Sequence, residues 1–437
     1  MIEAGPASAV SAGIRPRALP RGAAGWALAA TILAVLPVVP GLDTNFVRSL
    51  LSQMGIAAIF ACSYNVLLGE TGLLSFGHAV YFGLGGYVAI HAMRWINAGL
   101  PVPIALVPLF GALGGLVFGL LIGAVTTRRA GTVFAMISLG LGELVVAASL
   151  TLTRFFGGEE GITANRTRAP HPLGLRFATQ LEVYYLIAAW ALGCIALMYL
   201  FTRTPVGRMC NAVRDNPERA EFVGYDPRRV RLVAFVVAAG FAGAAGGLHA
   251  INYEIVAAES LGAARSGAVL LMAYIGGIDH FFGPVLGAVV LTWLQVNLSD
   301  YTSAWQLYFG LFFILVVLFA PGGLAGLLAR HAPLVRAGTL HRLAPAYLAA
   351  TGPLLVAALG AVSLIEISYR LATKPELGTR MRLFGVAMDV SRPWPWLGAA
   401  LLLAAGIGML LRLAPLVRRA WDGATAAGAA GRPGARP

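Results

Sequence analysis

Runs of 18 or more mostly apolar residues recur along nearly the whole chain. Each is long enough to cross the hydrocarbon core of a bilayer as a helix. Within that core every backbone N–H and C=O needs an internal partner, which leaves an α-helical bundle or a closed β-barrel. Barrel strands alternate apolar and polar residues, and these runs do not. The chain therefore reads as an all-α polytopic integral membrane protein. Ten core spans are legible, at roughly 22–42, 46–68, 73–93, 102–125, 132–152, 183–201, 232–251, 266–278, 283–298 and 307–326. The eighth is short and bounded by Ile275-Gly276-Gly277, so it reads as broken or re-entrant, which needs cover by protein. Two more apolar runs, 344–365 and 394–413, follow as a C-terminal pair.

The charged residues set the orientation. Only 12% of the 437 residues are charged, yet the net charge is +13. Almost all of the excess is arginine, Lys374 being the only lysine. These arginines sit in short loops between spans, which is the positive-inside pattern rather than a nucleic-acid footprint. Arg15, Arg17 and Arg21 precede an apolar run from Gly22 to Val39, longer than a signal-peptide core, so an uncleaved first span entering from the cytoplasm is expected. With the N-terminus inside, the cytoplasmic loops of residues 1–342 hold fifteen arginines and the outer ones seven, Arg265 among the latter. The expected organisation is a cytoplasmic tail 1–21, a core 22–328, an extension 329–421 and a disordered, Gly/Ala/Pro-rich tail 422–437. Alternation places the connecting segment 366–393 outside although it holds Arg370, Lys374, Arg380, Arg382 and Arg392, a local break in the pattern. Cys62, Cys194 and Cys210 are far apart and give neither a metal spacing nor a disulfide framework.

A polar island at 203–231 interrupts the apolar chain, with seven arginines, four acids, three prolines and two glycines. Pro205 ends the preceding span, because the residue before a proline leaves the α region. Gly207 to Ala212 restarts a helix. Asn216-Pro217-Glu218 is a second helix start, with a capping Asn, a proline at the first position and an acid in the first turn. That helix stops at Gly224, and Tyr225-Asp226-Pro227 turns into the next span. A compact charged loop of this kind offers a soluble partner something to grip; an ordinary positive-inside loop is the plainer alternative.

The stretch TPVGRMCNAVRDNPERAEFVGYDPRRVRLVAFVVAAGFAGAAGGL resembles the coupling region of the branched-chain amino acid ABC permease family. Three more segments agree in order: Asn65–Ala89 (NVLLGETGLLSFGHAVYFGLGGYVA, in the form of the LivM-type subunit), Gly131–Leu144 (GTVFAMISLGLGEL), and Gly276–Leu291 with Leu307–Leu327. The resemblance covers about residues 26–328. It implies a permease subunit of an ATP-driven importer in a bacterial inner membrane. The implied partners are a second homologous permease, cytoplasmic ABC ATPase subunits and an extracytoplasmic substrate-binding protein, with membrane lipid around the bundle and no cofactor. On this resemblance Glu218, Glu221 and Gly224 shape the ATPase-docking helix, while Arg208, Arg214 and Arg219, beside Asp215, pair with the ATPase. The outer turn Gly157–Ile162 resembles the family's Gly-rich contact for a binding protein.

Within the spans, Gly69, Gly72, Gly77, Gly83, Gly85 and Gly86 serve either a moving permeation path or tight packing. A charge in hydrocarbon is costly, so Glu143 faces the bundle interior or water and is read as a path residue, with a structural hydrogen bond as the alternative. Ser75, Gly77, His78 and Gly83 are the other path candidates, although His78 reads first as an interior hydrogen-bonding residue. Glu70 reads as solvated at a span end and His249 as packing.

No G-x-x-x-x-G-K-[ST] occurs, so any ATP hydrolysis falls to a separate subunit. Neither His-Glu-x-x-His nor G-x-S-x-G occurs, so enzyme chemistry has no foothold. Urea-type and aromatic-acid permeases share such spans, which leaves the solute open. An ion-coupled secondary transporter is the rival class; it predicts intramembrane acids in paired halves, and Glu143 has no such partner.

Overall fold

The computed structural model describes residues 23–41, 43–168, 177–373 and 378–430. The expected tail 1–21, with its three arginines, lies outside these residues, as does Lys374. The chain folds into helices α1 (Ala23–Val35), α2 (Asn45–Thr71), α3 (Ala79–Asn97), α4 (Val107–Thr126), α5 (Gly131–Thr151) and the single turn α6 (Thr153–Phe156). After these come α7 (Gln180–Arg203), α8 (Pro205–Asp215), α9 (Pro217–Phe222), α10 (Pro227–Tyr253), α11 (Ala263–Gly276), α12 (Gly283–Tyr301) and α13 (Trp305–Phe319). The last three are α14 (Gly323–Arg336), α15 (Ala344–Thr373) and α16 (Pro393–Ala430). Two short antiparallel ladders join them: β1 (Ile162–Thr163) with β2 (Ile255–Val256), and β3 (Arg380–Leu383) with β4 (Val386–Asp389).

Seven helices among the described residues are long and apolar enough to cross a membrane, or eight if the bent pair α13 and α14 counts as one. The protein is thus an all-α integral membrane protein, with fewer full-length crossings than the ten-plus-two segments read from hydropathy. The difference lies in α1, α3, α11, α12 and α13, which are shorter or less apolar. The expected eighth span is a helix of 14 residues, about 21 Å long against a core of about 30 Å. The third span starts late, because Gly72–His78 is not helical. Helix α16 continues to Ala430, past Asp422, where the sequence reading ended the ordered chain.

The chain divides into a core ending at Gly326 and a second compact unit from Leu327 onward. Of the full-length spans, α2 and α10 are the most enclosed. Glycines set the approach of α10 to α3 and α4. A Cβ added at Gly243 would stand 2.2 Å from the Gly111 carbonyl oxygen, and one at Gly85 would stand 2.3 Å from the Gly243 Cα. Small-residue faces of this kind let backbones meet where apolar lipid offers no hydrophobic drive for association. Here the glycine-rich stripe is a packing surface.

The non-helical Gly72–His78 segment is held by side chains. Ser138 Oγ of α5 accepts from the Phe76 N–H at 3.1 Å, and Ser266 Oγ of α11 accepts from the Ala79 N–H at 3.0 Å. The Tyr64 hydroxyl donates to the Ser75 carbonyl at 3.1 Å. Irregular backbone survives at membrane depth only when neighbours satisfy it this way.

In the second unit α15 and α16 pack closely. A Cβ at Gly360 would stand 2.4 Å from the Leu403 nitrogen, and one at Gly406 would stand 2.4 Å from the Ala357 nitrogen. Beside them His331 Nε2 and the Tyr347 hydroxyl share a 2.8 Å hydrogen bond.

Candidate functional site

Three prolines at first helical positions build the polar island. Pro205, Pro217 and Pro227 open α8, α9 and α10, where a missing N–H costs nothing. Each is preceded by a working cap. Thr204 accepts from the Gly207 N–H at 3.2 Å, Asn216 from the Arg219 N–H at 2.9 Å, and Asp226 from the Arg228 N–H at 2.9 Å. Gly224 has φ +91°, and the Tyr225 N–H returns to the Ala220 carbonyl at 3.0 Å, closing α9. The expected helix–turn–helix elbow is present, with α8 starting two residues earlier than read.

Helix α8 buries Gly207, Cys210 and Val213, and α9 buries Ala220. Cys210, Val213 and Ala220 pack with Val230 and Ala234 of α10. Burial pushes the Cys210 thiol up to about 12, and Glu70 adds to the rise. Two polar ties fix the elbow to the end of α2. Asn211 Nδ2 donates to Glu70 Oε2 at 2.5 Å, and the Arg214 guanidinium donates to the Gly69 carbonyl. Arg214 also pairs with Asp215 at 3.1 Å. Arg214 and Glu70 therefore have partners inside the chain: the first was expected to face outward, the second to be solvated. Arg208, Glu218, Arg219, Glu221 and Gly224 are exposed.

The reading of charge missed the apolar tip. Phe222 is 91% exposed and Val223 70%. Two large apolar side chains at the apex of a charged elbow are a contact surface waiting for cover. The signal lay in the words Glu221-Phe222-Val223-Gly224, where apolar residues directly precede a helix stop.

At the far end of α10, a cavity of about 890 Å³ is bordered by α2, α3, α5, α10, α11, α12 and α13. Helix α10 runs from Pro227 at the elbow to His249 at the cavity, about 33 Å along its axis. The polar lining includes Gln53, Glu143, His249, Glu259, Arg265 and Thr292. The Arg265 guanidinium lies 4.5 Å over the Phe82 ring and donates a long, 3.4 Å hydrogen bond to His249 Nδ1. Of the five path candidates, Glu143 alone lines this cavity. His78 is buried elsewhere, 3.0 Å from Ser63 Oγ and stacked on Phe60. Ser75 is buried beside it in the broken segment. Gly77 sits against the Ser138 carbonyl and Gly83 against Leu261. Neither Arg265 nor His249 stood out in the sequence, because an arginine near a span end reads as a topology marker.

The connection between α6 and α7 is stapled to the same end of α10. The β1–β2 ladder pairs Ile162 with Val256. The Arg166 N–H donates to the Glu254 carboxylate at 2.7 Å, and its guanidinium donates to the Ile251 and Asn252 carbonyls at 3.1 Å. Glu159 and Glu160 are exposed on the turn before it.

A helical membrane bundle with a charged elbow at one end of its central helix and a polar cavity at the other has the build of a transport permease. Residues 46–321 match the family described as branched-chain amino acid transport system / permease component, and the chain belongs to that family. It is 27% identical over 292 residues to the high-affinity branched-chain amino acid transport system permease protein LivM of Escherichia coli (strain K12), covering 62% of this chain and 67% of that one. It is 23% identical over 334 residues to a probable LivM of Methanocaldococcus jannaschii, covering 65% and 94%. Against the permease protein LivH of Escherichia coli it is 24% identical over 293 residues, covering 62% and 91%. No solved structure matches the chain significantly. The family match stops short of the second unit.

Proposed function

We propose that this chain is the LivM-type permease subunit of an ATP-driven importer of branched-chain amino acids in a bacterial inner membrane. It pairs with a second, LivH-type permease. Cytoplasmic ATPase subunits grip the elbow α8–α9, and an extracytoplasmic binding protein delivers substrate near the Gly157–Ile162 turn. The N-terminus is then cytoplasmic. The observation that carries this reading is the exposed Phe222–Val223 apex on an elbow tied to α2 through Asn211–Glu70. An apolar knob ringed by Glu218, Arg219 and Glu221 suits a groove on a soluble protein, with charge to orient it. Closure of the ATPase dimer moves the elbow, and α2 and α10 carry that motion toward the cavity.

The test is reconstitution in proteoliposomes with the partner permease, ATPase and binding protein. ATP-dependent uptake of radiolabelled leucine is the expected result. Uptake that continues without the ATPase but collapses with the ion gradient overturns it in favour of a secondary transporter.

A further inference from the structure

We infer that the cavity around Arg265 is a binding site for a zwitterionic, apolar amino acid within the membrane path, with Arg265 holding the carboxylate. The inference rests on the import reading above and adds to it the side chains that touch the solute.

Arg265 carries the argument. It is half-buried beside the cavity, with one face on the Phe82 ring and a donor given to His249. Among the described residues no carboxylate comes within ion-pair distance of it, and Glu259 acts on its charge only from farther off. Taking a guanidinium out of water without a carboxylate bonded directly to it is expensive, and a planar fork of donors is matched best by a carboxylate. The Phe82 contact offsets part of that cost and fixes the plane of the fork. His249 accepts through Nδ1, so its other ring nitrogen carries the proton and the ring stays neutral while bound to the cation.

Glu143 and Glu259 border the same cavity, and both are exposed to it or to solvent. They come from different elements, α5 and the turn before α11, and supply the negative charge for an ammonium group. Between the charged groups the wall is apolar, with Ile56, Phe60, Leu291 and Phe309. One cation, two anions and an apolar wall fit a solute that carries both charges on one carbon and a hydrocarbon side chain. The volume of about 890 Å³ falls within the roughly 300–1,000 Å³ range of small-molecule sites. A neutral polar solute would leave Arg265 without its anion, and an aromatic acid would leave both glutamates without a cation.

The test is equilibrium binding of tritiated leucine to the purified complex of this chain with its partner permease and ATPase, the binding protein left out. Unlabelled leucine, 3-methylbutylamine (no carboxylate) and 4-methylpentanoic acid (no ammonium) compete. Wild type is expected to prefer leucine over either truncated ligand by roughly tenfold or more, the worth of one charged hydrogen-bonded contact. Arg265→Gln weakens leucine by a similar factor and erases the preference over the amine, and Arg265→Lys restores part of it. Glu143→Gln combined with Glu259→Gln erases the preference over the acid. Wild type that binds the amine as tightly as leucine overturns the site without recourse to any variant, and so does Arg265→Gln with unchanged affinity and preference. Leucine uptake by the wild-type complex with its binding protein is measured in parallel. Normal uptake with no carboxylate preference sinks the site alone, whereas absent uptake sinks the import reading and the site with it.

Discussion

Asn211 Nδ2 donates to Glu70 Oε2 at 2.5 Å and so ties the elbow helix α8 to the last turn of α2. A hydrogen bond to a charged group contributes about 1.5–3 kcal/mol. This one joins the elbow to the most enclosed of the full-length spans.

Glu70→Gln or Asn211→Ala should leave the permease in the membrane at normal levels but lower the leucine moved per ATP hydrolysed. The loosened elbow still docks but no longer drags α2 with it. Parallel uptake and phosphate-release measurements check this; an unchanged ratio in both variants removes the tie from the coupling route.

Phe222→Ala and Val223→Asp should cut ATPase co-purification by roughly tenfold or more, the range of interface anchors. The melting temperature should stay unchanged, since neither side chain is buried in the chain itself. Glu221→Lys should act in the same direction through charge. Gly224→Asp adds a backbone cost of about 1–2 kcal/mol, because φ there is +91°. Retained co-purification in all four would show that the ATPase grips elsewhere.

The Cys210 thiol should resist maleimide in native membranes. It is fully buried, and burial raises its pKa to about 12, so the reactive thiolate stays scarce. Raising the pH from 7 to 9 should not bring labelling to the level of an exposed cysteine, because both values lie well below 12. Val223→Cys should label readily, and only from the cytoplasmic side of sealed vesicles. Labelling from the exterior would invert the topology and end the docking proposal.

Gly243→Leu should abolish folded protein. A Cβ alone would sit 2.2 Å from a backbone oxygen of α4, and no rotamer relieves a clash with backbone. Gly193→Ala on α7, where nothing lies within 4 Å, is the matched control. Size-exclusion profiles in detergent separate the two.

Deleting 331–437 should leave the core folded and leucine uptake measurable, since the core has its own apolar interior, from Ile56 to Ala320. Loss of the whole protein from the membrane would make the second unit part of the folding unit.

The class of fold was legible because bilayer chemistry leaves few alternatives for long apolar runs. The elbow was legible for a local reason: Thr204-Pro205, Asn216-Pro217 and Asp226-Pro227 each cap a helix with atoms two or three residues away. Path residues were harder. Ser75, Gly77 and His78 looked alike in sequence, as small or polar residues in a span, yet the hydrogen bonds Tyr64–Ser75, Phe76–Ser138 and Ser63–His78 hold the segment as a buried break. Arg265 had the opposite fate, since only the convergence of α3, α10 and α11 puts Phe82 and His249 beside it. Nothing local to Arg265 announces partners 183 and 16 positions away. The expected spans 73–93 and 266–278 differ from α3 and α11 in their bounds because hydropathy measures greasiness and not where the backbone stays helical.

Helix α10 starts at the elbow, runs locked against α4 along a stripe with no side chains to compress, and ends at the cavity wall. A rod so tightly keyed has no soft joint in its middle. Any tilt imposed where Pro227 begins must reappear, undiminished and displaced across the bilayer, where His249 meets Arg265.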